Sequence, residues 1–229
     1  MITTSIDGSV ATVTLDRPRK RNALSPAALA DLEATVADFD TPVVHLRGAG
    51  PAFCAGADLG AVADLDGEAA HEFARSGQRV ANAIESTESV FVAGIDGAAR
   101  GGGVELALAC DIRLATPDAT FAETGVRLGL FGAWGGTHRL PEVVGAGNAL
   151  DLALSGRTID AEEALRMGLI SRVVEDPAEV AATIAGHDSD ALAALKERMR
   201  DDAPPEEQDR READTFAGLV ERADLTEYR

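Results

Sequence analysis

Glu105 follows the triplet Gly101-Gly102-Gly103 by two residues, and that spacing suits a base placed beside oxyanion donors. Glycine opens backbone conformations closed to other residues and lets a ligand come close to the amides. The first N–H groups of a helix have no partner within it, and the macrodipole adds positive character there. Such an end attracts negative charge. An acid in that first turn is electrostatically favoured, so Glu105 is expected to stay ionised near neutral pH. Amides that hold an oxyanion would then lie next to a possible general base. A tight turn carrying a solvated, helix-favouring acid has the same signature, and a lone glycine triplet does not separate the two.

Positioning these groups requires a strand, a turn and a helix. Val90 to Ala93 is a short apolar, β-branched run that fits a buried strand, and Val104, Leu106, Leu108 and Ala109 fit a helix with little polar surface. A second stretch, Phe53-Cys54-Ala55-Gly56-Ala57-Asp58-Leu59, is built of small residues that expose backbone amides; as a plain strand-to-helix turn it would look the same. Upstream, Gly48-Ala49-Gly50-Pro51 is a poor dinucleotide turn, because Phe53 stands where the third glycine belongs. Gly132-Ala133-Trp134-Gly135-Gly136-Thr137 is another glycine turn and holds the single tryptophan, a core anchor or a pocket wall. The densest basic run, Arg17-Pro18-Arg19-Lys20-Arg21, is either a solvated loop or a seat for phosphates.

Aspartate and glutamate total 39 against 21 lysines and arginines, a formal net charge of −18. That balance opposes general nucleic-acid binding and would repel a polyanionic ligand except where cations concentrate. Lys20 and Lys196 are the only lysines. A salt-adapted cytoplasmic protein, with its acidic surface screened by ions, fits this composition. No secretory signal and no membrane-spanning run is read from the sequence. Cys54 and Cys110 lack partner or ligand spacing and are expected as reduced, buried thiols. His45 in a strand is expected to be a packed or surface residue. His71 and Glu72 lack zinc-site spacing, and no metal is expected.

In chain order, residues 2–6 and 10–15 read as a hairpin around Asp7-Gly8. Ser25-Pro26 opens a helix to about Phe39, and strands follow at 43–46 and 112–115. Residues 60–88 read as helix broken near Asp66-Gly67. Helices are expected from the second glycine turn to about Val144 and at 147–154, 161–167 and 177–185, with a strand at 171–174. Asp188 to Arg229 reads as helical, interrupted by Pro204-Pro205.

LDRPRKRNALS (15–25), VVHLRGAGPAFCAGADL (43–59), GGGVELALACDIRLA (101–115), LGLFGAWGGTHRLP (128–141) and LALSGRTIDAEEALRMGLISRVV (152–174) together resemble the crotonase superfamily, the enoyl-CoA hydratase/isomerase family. The resemblance implies an α/β fold, a crotonase-like spiral of repeated ββα units (1–185) with a helical C-terminal region (186–229) used in trimerisation. It implies a homotrimer or dimer of trimers, a coenzyme A thioester as substrate and no separate cofactor. By motif position, the amides of Ala57 and Gly102 would form the oxyanion hole, with Glu105 as catalytic acid/base. Ala55, Gly56, Asp58 and Leu59 would lie along the CoA, Gly101, Gly125, Gly132 and Trp134 around the acyl group, and Arg19 and Arg21 near the phosphates.

The pattern breaks at one position. The family's hydratases hold a water between two glutamates, and the second falls on Gly125. Glu123 would share a face with that position if the segment is extended. Water addition to a 2-enoyl-CoA is the leading expectation. Isomerisation, decarboxylation or thioester hydrolysis by the same enolate chemistry, and a non-catalytic acyl-CoA-binding paralogue, are the alternatives.

Overall fold

The hairpin forms as expected: β1 (Ile2–Asp7) pairs antiparallel with β2 (Val10–Leu15). The computed structural model describes residues 1–223, 225 and 226; the remainder of the expected C-terminal helical segment lies outside them. After β2, Ser25 caps α1 (Pro26–Ala37), its hydroxyl accepting from the Ala28 N–H at 3.3 Å. Proline at the first helical position needs no N–H partner, which is why Ser-Pro marks this start.

The chain continues through β3 (Val43–Gly48), the short α2 (Leu59–Val62), α3 (Gly67–Ser86), β4 (Val90–Ile95), β5 (Ala98–Arg100) and α4 (Gly102–Ala109). Then come β6 (Ile112–Ala115), β7 (Thr120–Ala122), α5 (Gly136–Ser155), β8 (Ile159–Asp160), α6 (Ala161–Met167), β9 (Arg172–Val173), α7 (Pro177–Ala185), α8 (Ser189–Met199) and α9 (Pro205–Arg222). The break near Asp66 is real, and its carboxylate accepts from the Ala69 N–H at 2.8 Å. The two helices expected on either side of residue 145 are present within α5, separated at Gly145, whose φ of 77° and ψ of 153° are not helical.

One sheet runs β1-β2-β3-β4-β6-β9, parallel from β2 onward, and a smaller one runs β5-β7-β8. β4/β5 and β6/β7 each send one strand to the large sheet and one to the small sheet before a helix follows. This is the ββα spiral expected from the resemblance. β4 is buried along its whole length, as a parallel strand covered on both faces must be. Every residue of α4 is buried as well, so this helix runs through the core rather than over it. Phe53, Phe91 and Phe121 share one continuous core with its Leu106. Cys54 and Cys110 are unpaired and fully enclosed, and burial pushes both thiols up to about 12. His45 is packed inside the large sheet, where burial lowers it to about 4.

The helical tail is tied to the core by cations. Lys196 on α8 is buried and donates to the carbonyls of Ile84 at 3.0 Å and Ser89 at 2.8 Å, with Asp111 at 3.0 Å. Of the two lysines, only Lys20 therefore remains exposed. Arg200 grips Asp111 at 2.8 Å and Glu85 at 3.1 Å.

Candidate functional site

Two short loops leave a shared ladder and carry the expected amides. Cys54 and Ala99 form an isolated parallel bridge: the Cys54 N–H donates to the Ala98 carbonyl at 3.1 Å, and the Arg100 N–H to the Cys54 carbonyl at 2.9 Å. Ala57 and Gly102 each lie three residues beyond that bridge. Gly56 sits at a φ of 84°, and a Cβ there would stand 2.6 Å from the Arg100 carbonyl oxygen and 3.0 Å from the Gly102 nitrogen. Only glycine allows the two loops to come this close. Leu24 fixes the loop around Ala57, donating to the Gly56 carbonyl and accepting from the Asp58 N–H, 2.8 and 2.9 Å. The N–H groups of Ala57 and Gly102 find no acceptor among the described residues. Both residues line one cavity of about 220 Å³, together with Ala55, Gly56, Leu59, Gly101, Glu105, Gly125, Gly132 and Trp134.

Glu105 is 1% exposed. Its Oε1 accepts from the Trp134 N–H at 2.9 Å and the Gly136 N–H at 2.7 Å, and among the described residues no donor reaches Oε2. The glycine turn before α5 thus supplies the anion-holding amides to a protein carboxylate. Bare glycines make room for it: a Cβ on Gly132 would lie 2.7 Å from the carboxyl carbon, and one on Gly136 would lie 2.8 Å from Oε1. This corrects the expectation from the helix end alone. Burial raises the Glu105 carboxyl above the ordinary range, while the two amides and the charge of Arg139 oppose that rise. Arg139 is itself 3% exposed, held by Glu85 at 2.5 Å and Asn82 at 2.8 Å.

Beyond Glu105 lies a larger cavity of about 390 Å³, walled by apolar groups including Val126, Leu140, Ala149 and Leu150. Glu105, Gly125, Phe131 and Gly132 line both cavities. Glu123 lines the larger one. The segment after Glu123 is not extended: residues Thr124–Leu128 form a 3-10 turn, so the shared-face condition on residues 123 and 125 fails. Glu123 nevertheless shares the cavity with Glu105, and its Oε1 is fully enclosed with no hydrogen-bond partner among the described residues. Gly125 is crowded: a Cβ there would stand 3.0 Å from the Phe131 Cα and 3.1 Å from the Leu130 carbonyl oxygen.

Trp134 is 3% exposed and lies mostly in the core, edge-on to Phe73 with ring centroids 5.7 Å apart. It lines the smaller cavity but not the larger, so it floors the amide pair rather than narrowing the apolar chamber. Asp58 lines neither cavity; it pairs with Arg17 at 3.0 Å and caps α2 through the Gly60 N–H. Arg19 and Arg21 are exposed, line neither cavity and form no ion pair among the described residues. Their turn is joined to the first loop by the Ala55 N–H, which donates to the Arg21 carbonyl at 2.9 Å.

Sequence reasoning missed three contributors. Asn22 donates to the carbonyls of Ala49, Ala52 and Phe53 and accepts from the Arg17 N–H, binding the basic turn to the small-residue loop. Its φ of 58°, a conformation asparagine tolerates better than most, is the local signal. Gly136 and Arg139 act on Glu105 from about thirty residues away, and no local pattern announces that. A larger open groove of about 1170 Å³, with Glu85, Lys196, Arg200 and Asp201 among its lining, holds none of the expected site residues. Among the described residues, no cluster could hold a metal ion and no helix is long and apolar enough to cross a membrane.

Comparison with known proteins follows the same line. The chain is 37% identical over 182 residues to a short-chain-enoyl-CoA hydratase of Clostridium acetobutylicum, covering 77% of this chain and 69% of that one. A crystal structure of an enoyl-CoA hydratase from Thermoplasma volcanium superposes with a TM-score of 0.93 at 31% identity, covering 100% of this chain and 97% of the other. A Thermobifida fusca structure in complex with acetoacetyl-CoA gives 0.86 at 32% identity, covering 97% and 95%. The enoyl-CoA hydratase/isomerase family pattern matches residues 5–224, and the chain belongs to that family.

Proposed function

We propose that this protein adds water across the double bond of a 2-enoyl-CoA thioester. The observation that carries this reading is the convergence of two unpartnered amides, Ala57 and Gly102, with the pinned carboxylate of Glu105 on one cavity. The thioester carbonyl rests on the amide pair. Its polarisation makes the β-carbon electrophilic and lets charge build on oxygen as water adds. Glu105, fixed through Oε1, offers Oε2 to the water as general base. The acyl chain runs past Glu105 into the larger, apolar cavity. Arg19 and Arg21, free of ion pairs, take the CoA phosphates, and no cofactor beyond the substrate is needed. Relatives named as hydratases support the reaction, and the acetoacetyl-CoA complex of a structural neighbour supports the ligand class.

Incubation with crotonyl-CoA, followed through loss of enoyl absorbance, tests this reading. Wild-type protein is expected to form the 3-hydroxy product, and Glu105→Gln to lose about 10³-fold in kcat, within the range typical of a general base. Binding of crotonyl-CoA without turnover would refute it. Gly125 favours a second reading, since it leaves the family's second carboxylate position empty. Double-bond migration in a 3-enoyl-CoA, run in parallel, separates the two.

Self-association completes the proposal. Phe131 lines both cavities yet is 73% exposed, and Leu150, Leu154 and Phe216 are also uncovered. A homotrimer covering these groups would close the chamber; a monomer by sedimentation would reject it. The net charge of −18, with one exposed lysine, supports a salt-adapted cytoplasmic enzyme whose stability rises with KCl.

A further inference from the structure

We infer that Glu123 is the second catalytic carboxyl group of this site, a neutral acid that delivers the proton to the substrate's α-carbon; this rests on the hydration reading above. Position 125 cannot host the group without moving the Leu130–Phe131 backbone, and it carries no side chain. Glu123 reaches the same chamber from the end of β7 instead. Its enclosed Oε1 has no donor among the described residues, an arrangement that suits a protonated carboxyl and penalises an anion.

The two carboxyl groups have opposite surroundings. Glu105 receives two amide hydrogens, and Arg139 on α5 adds positive charge nearby. The charge facing Glu123 is that of Glu105 on α4; no cation from β7, α5 or the 3-10 turn pairs with it among the described residues. One proton shared by such a pair resides on the group without donors. Burial, and then the Glu105 charge, push the Glu123 carboxyl up to about 8.

The step balances. Water's oxygen bonds to the β-carbon while Glu105 takes one of its protons. The π electrons pass to the enolate held by Ala57 and Gly102, and the α-carbon then takes the proton of Glu123. Glu105 ends protonated and Glu123 ionised; transfer of one proton between them restores the starting state.

Glu123→Gln is expected to lose at least about 100-fold in crotonyl-CoA kcat with KM changed less than about threefold. Its residual activity should lack the wild-type decline in kcat/KM above about pH 8. An unfolding temperature no lower than wild type's shows that the variant folds. A second assay is independent of hydration: exchange of the α-hydrogens of butyryl-CoA in D2O above about pH 8, where Glu123 is ionised and can act as the α-carbon base, with no water addition needed. Wild-type protein should exchange them and Glu123→Gln should not. Failure to hydrate crotonyl-CoA with Glu123-dependent exchange intact overturns the hydration reading alone. Exchange absent from wild type or retained in Glu123→Gln, or hydration at near wild-type kcat in that variant, overturns the role of Glu123.

Discussion

Two helix N-termini meet at this site, and they use the same backbone device for opposite ends. α4 starts after Gly101 at a φ of 47°, and α5 starts after Gly135 at a φ of 104°; neither has a side-chain cap. At α5 the protein supplies the anion, and Glu105 takes the amides of Trp134 and Gly136. At α4 the Gly102 amide is left open on a cavity. An unpaired helix-end amide costs free energy when enclosed, so it persists where water or a ligand oxygen can reach it. The filled end fixes a carboxylate, and the open end leaves an amide free to receive an oxyanion, as the proposed reaction requires. Trp134 links them. It donates one amide to Glu105, and its ring fills the space beside Gly102, where a Cβ would stand 2.3 Å from it.

Emptying the filled end should have the largest effect. Glu105→Ala strips an acceptor from two buried amides and should cost about 2–4 kcal/mol of stability, whereas Glu105→Gln keeps an oxygen there and should cost less. Chemical denaturation of the two variants checks the difference; equal losses would mean that the amides do not depend on that oxygen. Gly136→Ala comes next. Its methyl group would meet Glu105 Oε1 at 2.8 Å, and a carboxylate displaced by about 1 Å should lower crotonyl-CoA kcat roughly 100-fold.

The open end is expected to respond through packing instead. Gly102→Ala forces its methyl against the Trp134 ring and should cost about 1–3 kcal/mol. Trp134→Leu in that background should recover part of the loss, a coupling that a double-mutant cycle measures. The last test is a slope with pH. The folded carboxyl of Glu123 lies near 8 and the unfolded one at about 4.3, so between them the folded state binds more protons. Stability should therefore fall as pH rises through that window, by up to about 1.4 kcal/mol per pH unit, and Glu123→Gln should flatten the slope in thermal unfolding.

Much of this site was legible one segment at a time. Gly101-Gly102-Gly103 and the small residues at 55–59 announce amide-presenting turns because each turn's conformation is set by its own residues and their immediate neighbours. Ser25-Pro26 announces a helix start and Asp66-Gly67 a break for the same reason, and both stand where expected. The five matched segments, in their order, were enough to indicate the ββα spiral and the family.

What the local signals left undecided is how the segments treat one another's charges. Glu105 reads as a favoured anion from its own helix, yet its environment is dominated by enclosure and by amides 29 and 31 residues away. Glu123 reads as a neighbour of an empty position, and only the cavity shows it facing Glu105. Desolvation is a property of everything packed around a group, and no window of sequence contains that. Composition, turn chemistry and helix caps were thus determined by the chain itself; the protonation of its two buried acids was decided by the fold that encloses them.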